Sequence, residues 1–289
     1  MQRSRVCYNQ QMASWLGQFC INVSDLDRAV AMYESLGLTC TSRTSIDQAD
    51  EAILEHVDPR EGTRGGKIQL AQQRHSAEPI DMGNALWKLY VNTNDVHATY
   101  TAALANGCIS ISEPERIERW PVTIAFVRDP DGYMIEFVQR HPWLDGDDTT
   151  PTWVGQYCIN VSDIDATIRF YELLGFECTS RTDIPQAKEA IIENPSKGAK
   201  MQLAQQLHDE RPIDMGTALW KLYVHTDDLE TLHAQAVAEG YRSVMDPARL
   251  TRWPTIISFL ADPDGYQIEL VQRLSDIDEI ADTRFSSSN

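Results

Sequence analysis

Two glutamates set in the middle of apolar strands are the residues of this 289-residue chain that first invite a chemical reading. They occur in near-copies of one motif, DPDGYMIEFVQR from Asp129 to Arg140 and DPDGYQIELVQR from Asp262 to Arg273. In each copy Asp-Pro-Asp-Gly predicts a tight turn, because proline presets φ and glycine tolerates positive φ. A strand follows. Its period of two puts Ile135 and Phe137 on one face and Met134, Glu136 and Val138 on the other. Glu269 is set in the same way between Ile268 and Leu270. A carboxylate so placed could take a proton from a substrate or balance a cation. Strands disfavour Glu, and an unpaired buried charge is costly. Either this face meets solvent, as one face of many sheets does, or the two carboxylates are partnered by what surrounds them.

The surrounding elements read as a duplicated pattern. From Trp15, Phe19, Ile21 and Val23 alternate with Gln18, Cys20 and Asn22, which predicts a strand with one polar face. Ser24 reads as the N-cap of a helix with Asp25 and Asp27 in its first turn, an apolar stripe of Leu26, Ala29, Val30, Tyr33 and Leu36, and an end at Gly37. Extended stretches follow at 38–42, 52–57 and 67–72, the last two separated by a Gly-rich turn, DPREGTRGG. In the last stretch Ile68 and Leu70 alternate with Gln69 and Ala71. That unit is βαβββ. After PIDMG the order repeats: a strand at 86–93, a helix capped near Asn94 or Asp95 and ending at Gly107, then strands at 108–111, 122–127 and 133–139.

From Trp153 the whole double unit is written again. The offset falls from 138 residues at Cys20 and Cys158 to 133 at Asp129 and Asp262, because HVDPREGTRGG is answered by the shorter NPSKGA. This spacing fits a domain duplication rather than a solenoid. The expected domains are residues 14–141 and 152–274, with a Pro-, Gly- and Asp-rich linker at 142–151 and tails at 1–13 and 275–289.

Composition excludes several classes of partner. A formal charge of −18 opposes binding to nucleic acid or anionic lipid. Hydrophobic residues at 42% and charged residues at 24% are those of a globular protein. No apolar run reaches the length of a membrane span and the first residues lack a signal-peptide core, so a cytoplasmic location and a small-molecule ligand are expected. The six cysteines, at 7, 20, 40, 108, 158 and 178, have no metal-ligand spacing and read as reduced thiols.

With INVSDLDRAVAMYESLGL opening the double unit and AFVRDPDGYMIEFVQ closing it, the chain resembles the vicinal oxygen chelate superfamily of glyoxalase I, bleomycin resistance proteins and extradiol dioxygenases. The resemblance covers both copies and leaves out only the tails and linker. It implies an α+β fold in which paired βαβββ units form curved sheet cups with helices outside, four units in two tandem domains, so that the chain is a pseudo-dimer; further homo-oligomerisation is compatible with it. In glyoxalase-like relatives four side chains on the first, fourth, fifth and eighth strands hold a divalent metal. The matching positions here are Gln18, Gln69, Lys88 and Glu136 in the first copy and Gln156, Gln202, Lys221 and Glu269 in the second. The resemblance leaves open whether each cup joins positions of one copy or of both.

The chain departs from the family where the usual set is His or Gln, Glu, His and Glu. A lysine ammonium has no lone pair to give a cation, and Gln is a weak neutral donor. No cofactor or metal is therefore expected; the ammonium takes the metal's place with the glutamate as counter-ion. Tyr90 and Tyr223 fall on the same face two residues after each lysine. The implied function is a metal-independent lyase or isomerase acting on a small carbonyl or hydroxycarbonyl compound, in which Glu136 and Glu269 remove a proton and Lys88 and Lys221 stabilise the enolate oxygen, while Gln18, Gln69, Tyr90, Gln156, Gln202 and Tyr223 bind the substrate. A non-catalytic ligand-sequestering protein and a metal-dependent glyoxalase or dioxygenase are the alternatives, and a buried salt bridge without function is a third. Arg119-Trp120-Pro121 and Arg252-Trp253-Pro254 are candidate rim loops, against which stands packing of each Trp on the other copy. Arg43 and Arg181 read as surface residues, His75 and His208 lie beyond the mapped positions, and Trp87 and Trp220 fall on the packing face of their strands.

Overall fold

A computed structural model describes residues 14–58, 62–76, 78–141, 152–195 and 198–274. The linker at 142–151, the tails at 1–13 and 275–289, and Cys7 lie outside them. The first double unit comprises β1 (Trp15–Asn22), α1 (Leu26–Ser35), β2 (Thr39–Ser45), β3 (Ala49–Asp58) and β4 (Gly62–Gln73), then β5 (Leu86–Asn92), α2 (Val96–Ala105), β6 (Ile109–Ile117), β7 (Val122–Arg128) and β8 (Met134–Arg140). The second repeats it as β9 (Trp153–Asn160), α3 (Ile164–Leu173), β10 (Glu177–Asp183), β11 (Ala187–Glu193) and β12 (Lys200–Gln206), then β13 (Leu219–His225), α4 (Leu229–Ala238), β14 (Arg242–Arg249), β15 (Thr255–Ala261) and β16 (Gln267–Arg273).

Local chemistry sets the start of α1 one residue later than the sequence reading, and of the two caps expected for α2 it selects Asp95. Asp25, not Ser24, is the N-cap of α1: its backbone is extended and its side chain accepts the Arg28 N–H. Ser24 is engaged elsewhere, its hydroxyl bonding to Asp131 of the DPDG turn. Asp95, Asp163 and Asp228 cap the other helices in the same way, satisfying N–H groups that have no intrahelical acceptor. Gly132 and Gly265 close the two DPDG turns at φ 109° and 99°.

The sheets join the halves crosswise. β1 pairs antiparallel with β13 and parallel with β4, and β13 pairs with β16. One cup therefore runs β14-β15-β16-β13-β1-β4-β3-β2 and the other β10-β11-β12-β9-β5-β8-β7-β6. A contact of β4 with β9, Gly66 opposite Val154, links the cups into one 16-stranded sheet. The outer strands β6 and β14 carry Pro114 and Pro247, positions where a missing N–H costs no ladder bond.

Period two then sorts the faces. Phe19, Ile21, Ile68 and Leu70 are fully buried in the main core with Leu26, Val30 and Tyr33 of α1, and Phe19 meets Tyr157 of the other copy with ring centroids 4.6 Å apart. The alternate residues face the cup, where small clusters form its floor: Cys20, Ala49, Ala71, Tyr223 and Val271 in one, Cys158, Ala187 and Ala204 in the other. Of the residues expected as a Gly-rich turn between β3 and β4, Asp58 and residues 62–66 continue the two strands, with His56 opposite Arg64 and Asp58 opposite Gly62, and 59–61 lie outside the described residues. The hairpin of the first copy is thus longer, with strands of 10 and 12 residues against 7 and 7 in the second.

Candidate functional site

Crosswise pairing decides which mapped residues meet. Gln18 and Gln69 share the first cup with Lys221 and Glu269, since Cys20 lies opposite both Gln69 and Lys221. Gln156 and Gln202 share the second with Lys88 and Glu136, since Cys158 lies opposite both Gln202 and Lys88. Each cup therefore takes one unit from each half of the chain.

The lysine and glutamate expected to pair do so twice. Lys88 Nζ lies 2.8 Å from Glu136 Oε2, and Lys221 Nζ 2.7 Å from Glu269 Oε2. The four side chains are only 8–12% exposed. Both glutamates follow a strand order that alternates core and cup, so the solvent-facing alternative does not hold. The amides form a second constant pair: Gln18 Nε2 donates to Gln69 Oε1 at 2.5 Å, and Gln156 Nε2 to Gln202 Oε1 at 2.8 Å. Tyr90 and Tyr223 stand beside the lysines, and burial, with the nearby glutamate, pushes both phenols up, so that they are neutral donors.

Three aromatic rings surround each ammonium. Lys88 Nζ is 4.5, 4.8 and 5.5 Å from the centroids of Trp87, Tyr90 and Phe126. Lys221 Nζ is 4.7, 4.9 and 5.7 Å from Trp220, Tyr223 and Phe259. Such rings attract a cation with their negative faces. The placement of Trp87 and Trp220 corrects the alternation reading, which put them on the packing face. The register slips by one between Leu86 and Lys88 and between Leu219 and Lys221. This bulge lets two successive side chains serve the cup, so Trp220 packs on the cup-floor cluster with Cys20 and Tyr223.

The alternation reading also overlooked Glu51 and Glu189. Glu51 bonds to Gln69 and interacts with Lys221 and Glu269; Glu189 interacts with Lys88 and Glu136. Burial raises both carboxyls above the usual range. Their signal was present in the repeat, where DEAILE of the first copy is answered by KEAIIE of the second. The buried thiols of Cys20 and Cys158 are pushed up by desolvation and serve as packing.

A cavity of about 880 Å³ opens in the second cup, lined among others by Tyr90, Glu136, Gln156, Glu189, Trp120 and Trp153. Trp120 and Trp253 are 45% and 42% exposed, as rim residues rather than packing between copies, each with its neighbouring arginine over the ring at 4.7–4.8 Å. Other candidates stand apart: Arg43 and Arg181 pair with Asp27 and Asp165 at the surface, and exposed His75 and His208 contact the carbonyls of Asp47 and Pro185.

These residues do not fit a divalent metal. Of the four family positions, two are neutral amides and one is an ammonium in contact with the only carboxylate. Among the described residues no group of three or more His, Cys, Asp or Glu is arranged to hold a metal ion.

Comparison with known proteins agrees with this architecture. The chain is 26% identical over 271 residues to a lactoylglutathione lyase of Oryza sativa subsp. japonica, covering 89% of each chain. It is 32% identical over 121 residues to a probable lactoylglutathione lyase of Vibrio parahaemolyticus, covering 42% of this chain and 86% of that one. The crystal structure of glyoxalase I from Zea mays superposes with a TM-score of 0.78 at 21% identity, over 96% of this chain and 98% of that one, a likeness of fold. The family match falls on both copies, residues 15–137 and 153–270. With the crossed βαβββ cups this places the chain in the Glyoxalase/Bleomycin resistance protein/Dioxygenase superfamily, as a tandem protein of the vicinal oxygen chelate type.

Proposed function

We propose that the protein is a metal-independent lyase or isomerase acting on a small carbonyl or hydroxycarbonyl compound, with one Lys–Glu pair at work in each cup. The observation that carries this reading is the seating of a buried ammonium, 2.7–2.8 Å from a carboxylate, at a position that the family resemblance assigns to a metal ligand. An ammonium has three donors. A largely buried ammonium, in ion-pair contact with the glutamate, has N–H groups to offer a substrate oxygen and stabilises the charge that develops when an enolate forms. Glu136 and Glu269, held beside that cation, are placed to take the proton α to the carbonyl. The paired amides and the phenols of Tyr90 and Tyr223 hold the remaining oxygens. The names of the relatives support a lyase on a carbonyl-derived compound, and lactoylglutathione is the first compound to assay.

Replacing Lys88→Met and Lys221→Met together is expected to abolish turnover while ligand binding falls only modestly; unchanged turnover refutes the mechanism. A stoichiometric transition metal, about one per cup in the purified protein, would overturn metal independence. The aromatic rim of the second cup also suits a protein that sequesters an apolar ligand, and a ligand retained through purification without chemical change on incubation would favour that reading.

A further inference from the structure

Each cup holds a carboxylate that the Lys–Glu pair does not use. Glu51 lies opposite Ala71 on β4, and Glu189 opposite the equivalent Ala204 on β12. Further along the same two strands, Glu55 is paired with Lys67 and Glu193 with Lys200, each at 2.8 Å. Glu136 and Glu269 are paired with the cup lysines. Among the described residues Glu51 and Glu189 alone of these six make no ion pair. A half-buried carboxylate without an ion-pair partner costs stability. Both copies nonetheless keep it, although the preceding residue has changed from Asp50 to Lys188.

We propose that Glu51 and Glu189 are further catalytic residues, one in each cup, which carry a proton between the two oxygens of a hydroxycarbonyl substrate. This deepens the function proposed above and rests on it. In the second cup Glu136 removes the proton from the carbinol carbon, and the C–H electron pair becomes the C=C bond of an enediolate. The carbonyl π pair moves onto the oxygen facing Lys88. Glu189 gives its proton to that oxygen and takes the proton of the neighbouring hydroxyl, whose O–H pair forms the new C=O bond. The C=C pair then takes back the proton held by Glu136 at the former carbonyl carbon. The two carboxylates end as they began, and no oxidant or reductant enters. The division of labour follows the environments: one carboxylate is fixed against a cation, the other is unpaired in a partly desolvated position, where the protonated form it must pass through is favoured. In the first cup the chain from Gln18 to Gln69 to Glu51 orients the carrier.

The test uses dihydroxyacetone as probe in deuterium oxide with the full chain, following by proton NMR both deuterium uptake at carbon and formation of the aldose. Glu51→Gln with Glu189→Gln keeps the shape but cannot carry the proton. Deuterium uptake is expected to persist in that variant while aldose formation falls about 100-fold or more, and Glu51→Asp with Glu189→Asp is expected to restore part of it. Unchanged aldose formation, or parallel loss of uptake and aldose in a variant that melts like the parent protein, overturns the carrier role alone. Absence of both signals in the parent protein overturns the function proposed above and the carrier role with it.

Discussion

The two cups share their centre and differ at their mouths. In both, a lysine, a glutamate, two amides and a phenol adopt the same arrangement to within 0.1 Å in the ion pair. At the mouth of the first cup His225 stacks on Trp15, with centroids 5.3 Å apart and planes at 17°, and its ring covers Gly17. The second has Asn92 over Gly155 at the same place. In the first, Arg252 of the rim loop also donates to the Ser45 carbonyl at 3.0 Å, tying the rim contributed by one half of the chain to the β2–β3 turn of the other. Duplication has thus held the central residues constant and varied those at the opening. Under the proposed function, substrate choice resides in the rims and the chemistry is common to both cups.

Single replacements test this most severely. Lys88→Met is expected to silence the second cup and Lys221→Met the first, each leaving the other cup's turnover. Each strands a buried glutamate, at a cost of about 3–5 kcal/mol. Equal residual rates for all substrates would show that the rims do not discriminate, and chemical denaturation checks the stability cost.

The turns that carry the two glutamates differ in their response to pH. Asp129 accepts three backbone N–H groups and the Tyr33 hydroxyl, and burial pushes its carboxyl up to about 6. Asp262 accepts the same three N–H groups, but its second oxygen has no hydrogen-bond partner, and burial pushes it to about 7. A folded-state value above the unfolded one, near 4, stabilises at low pH and is lost as pH rises through the folded value. Stability is therefore expected to fall from about pH 4 through 6 for Asp129 and through 7 for Asp262. Asp262→Asn should flatten the melting-temperature profile over that range more than Asp129→Asn does.

At the mouths, a Cβ on Gly17 would lie 2.2 Å from His225 Cδ2, and one on Gly155 would lie 1.9 Å from Asn92 Nδ2. Gly17→Ala is expected to cost about 2–3 kcal/mol and Gly155→Ala about 1, because a stacked imidazole has fewer escapes than a carboxamide; urea midpoints would reverse the comparison if Gly155→Ala proved the worse. The smallest effects fall on two helix tyrosines: Tyr33→Phe removes the hydroxyl bonded to Asp129 and should cost about 1 kcal/mol. Tyr171→Phe removes one without a hydrogen-bond partner and should be close to neutral by thermal unfolding.

Much of this was legible in the chain. Alternation along β1, β4 and β8 placed Gln18, Gln69 and Glu136 on the strand faces opposite the core residues, and the resemblance made those faces a cup and added Lys88. Glu51 escaped because its strand was read only as extended. Trp87 escaped because a bulge breaks the period of two on which face assignment depends. Ser24 was mistaken for a cap because two residues able to cap stand in succession, and which of them turns inward is set by Asp131 of a distant turn.

By itself the sequence determined the duplication, the βαβββ order and the residues available to each cup, since all of these follow from local periodicity and repetition along one chain. Tertiary structure decided that β1 lies against β13 rather than β5, and so which lysine stands over which pair of amides. The physical reason is that the two copies present nearly identical edges, so pairing within and between halves satisfies the same hydrogen bonds, and only the packing of the complete molecule, with Phe19 against Tyr157 between the cups, distinguishes them.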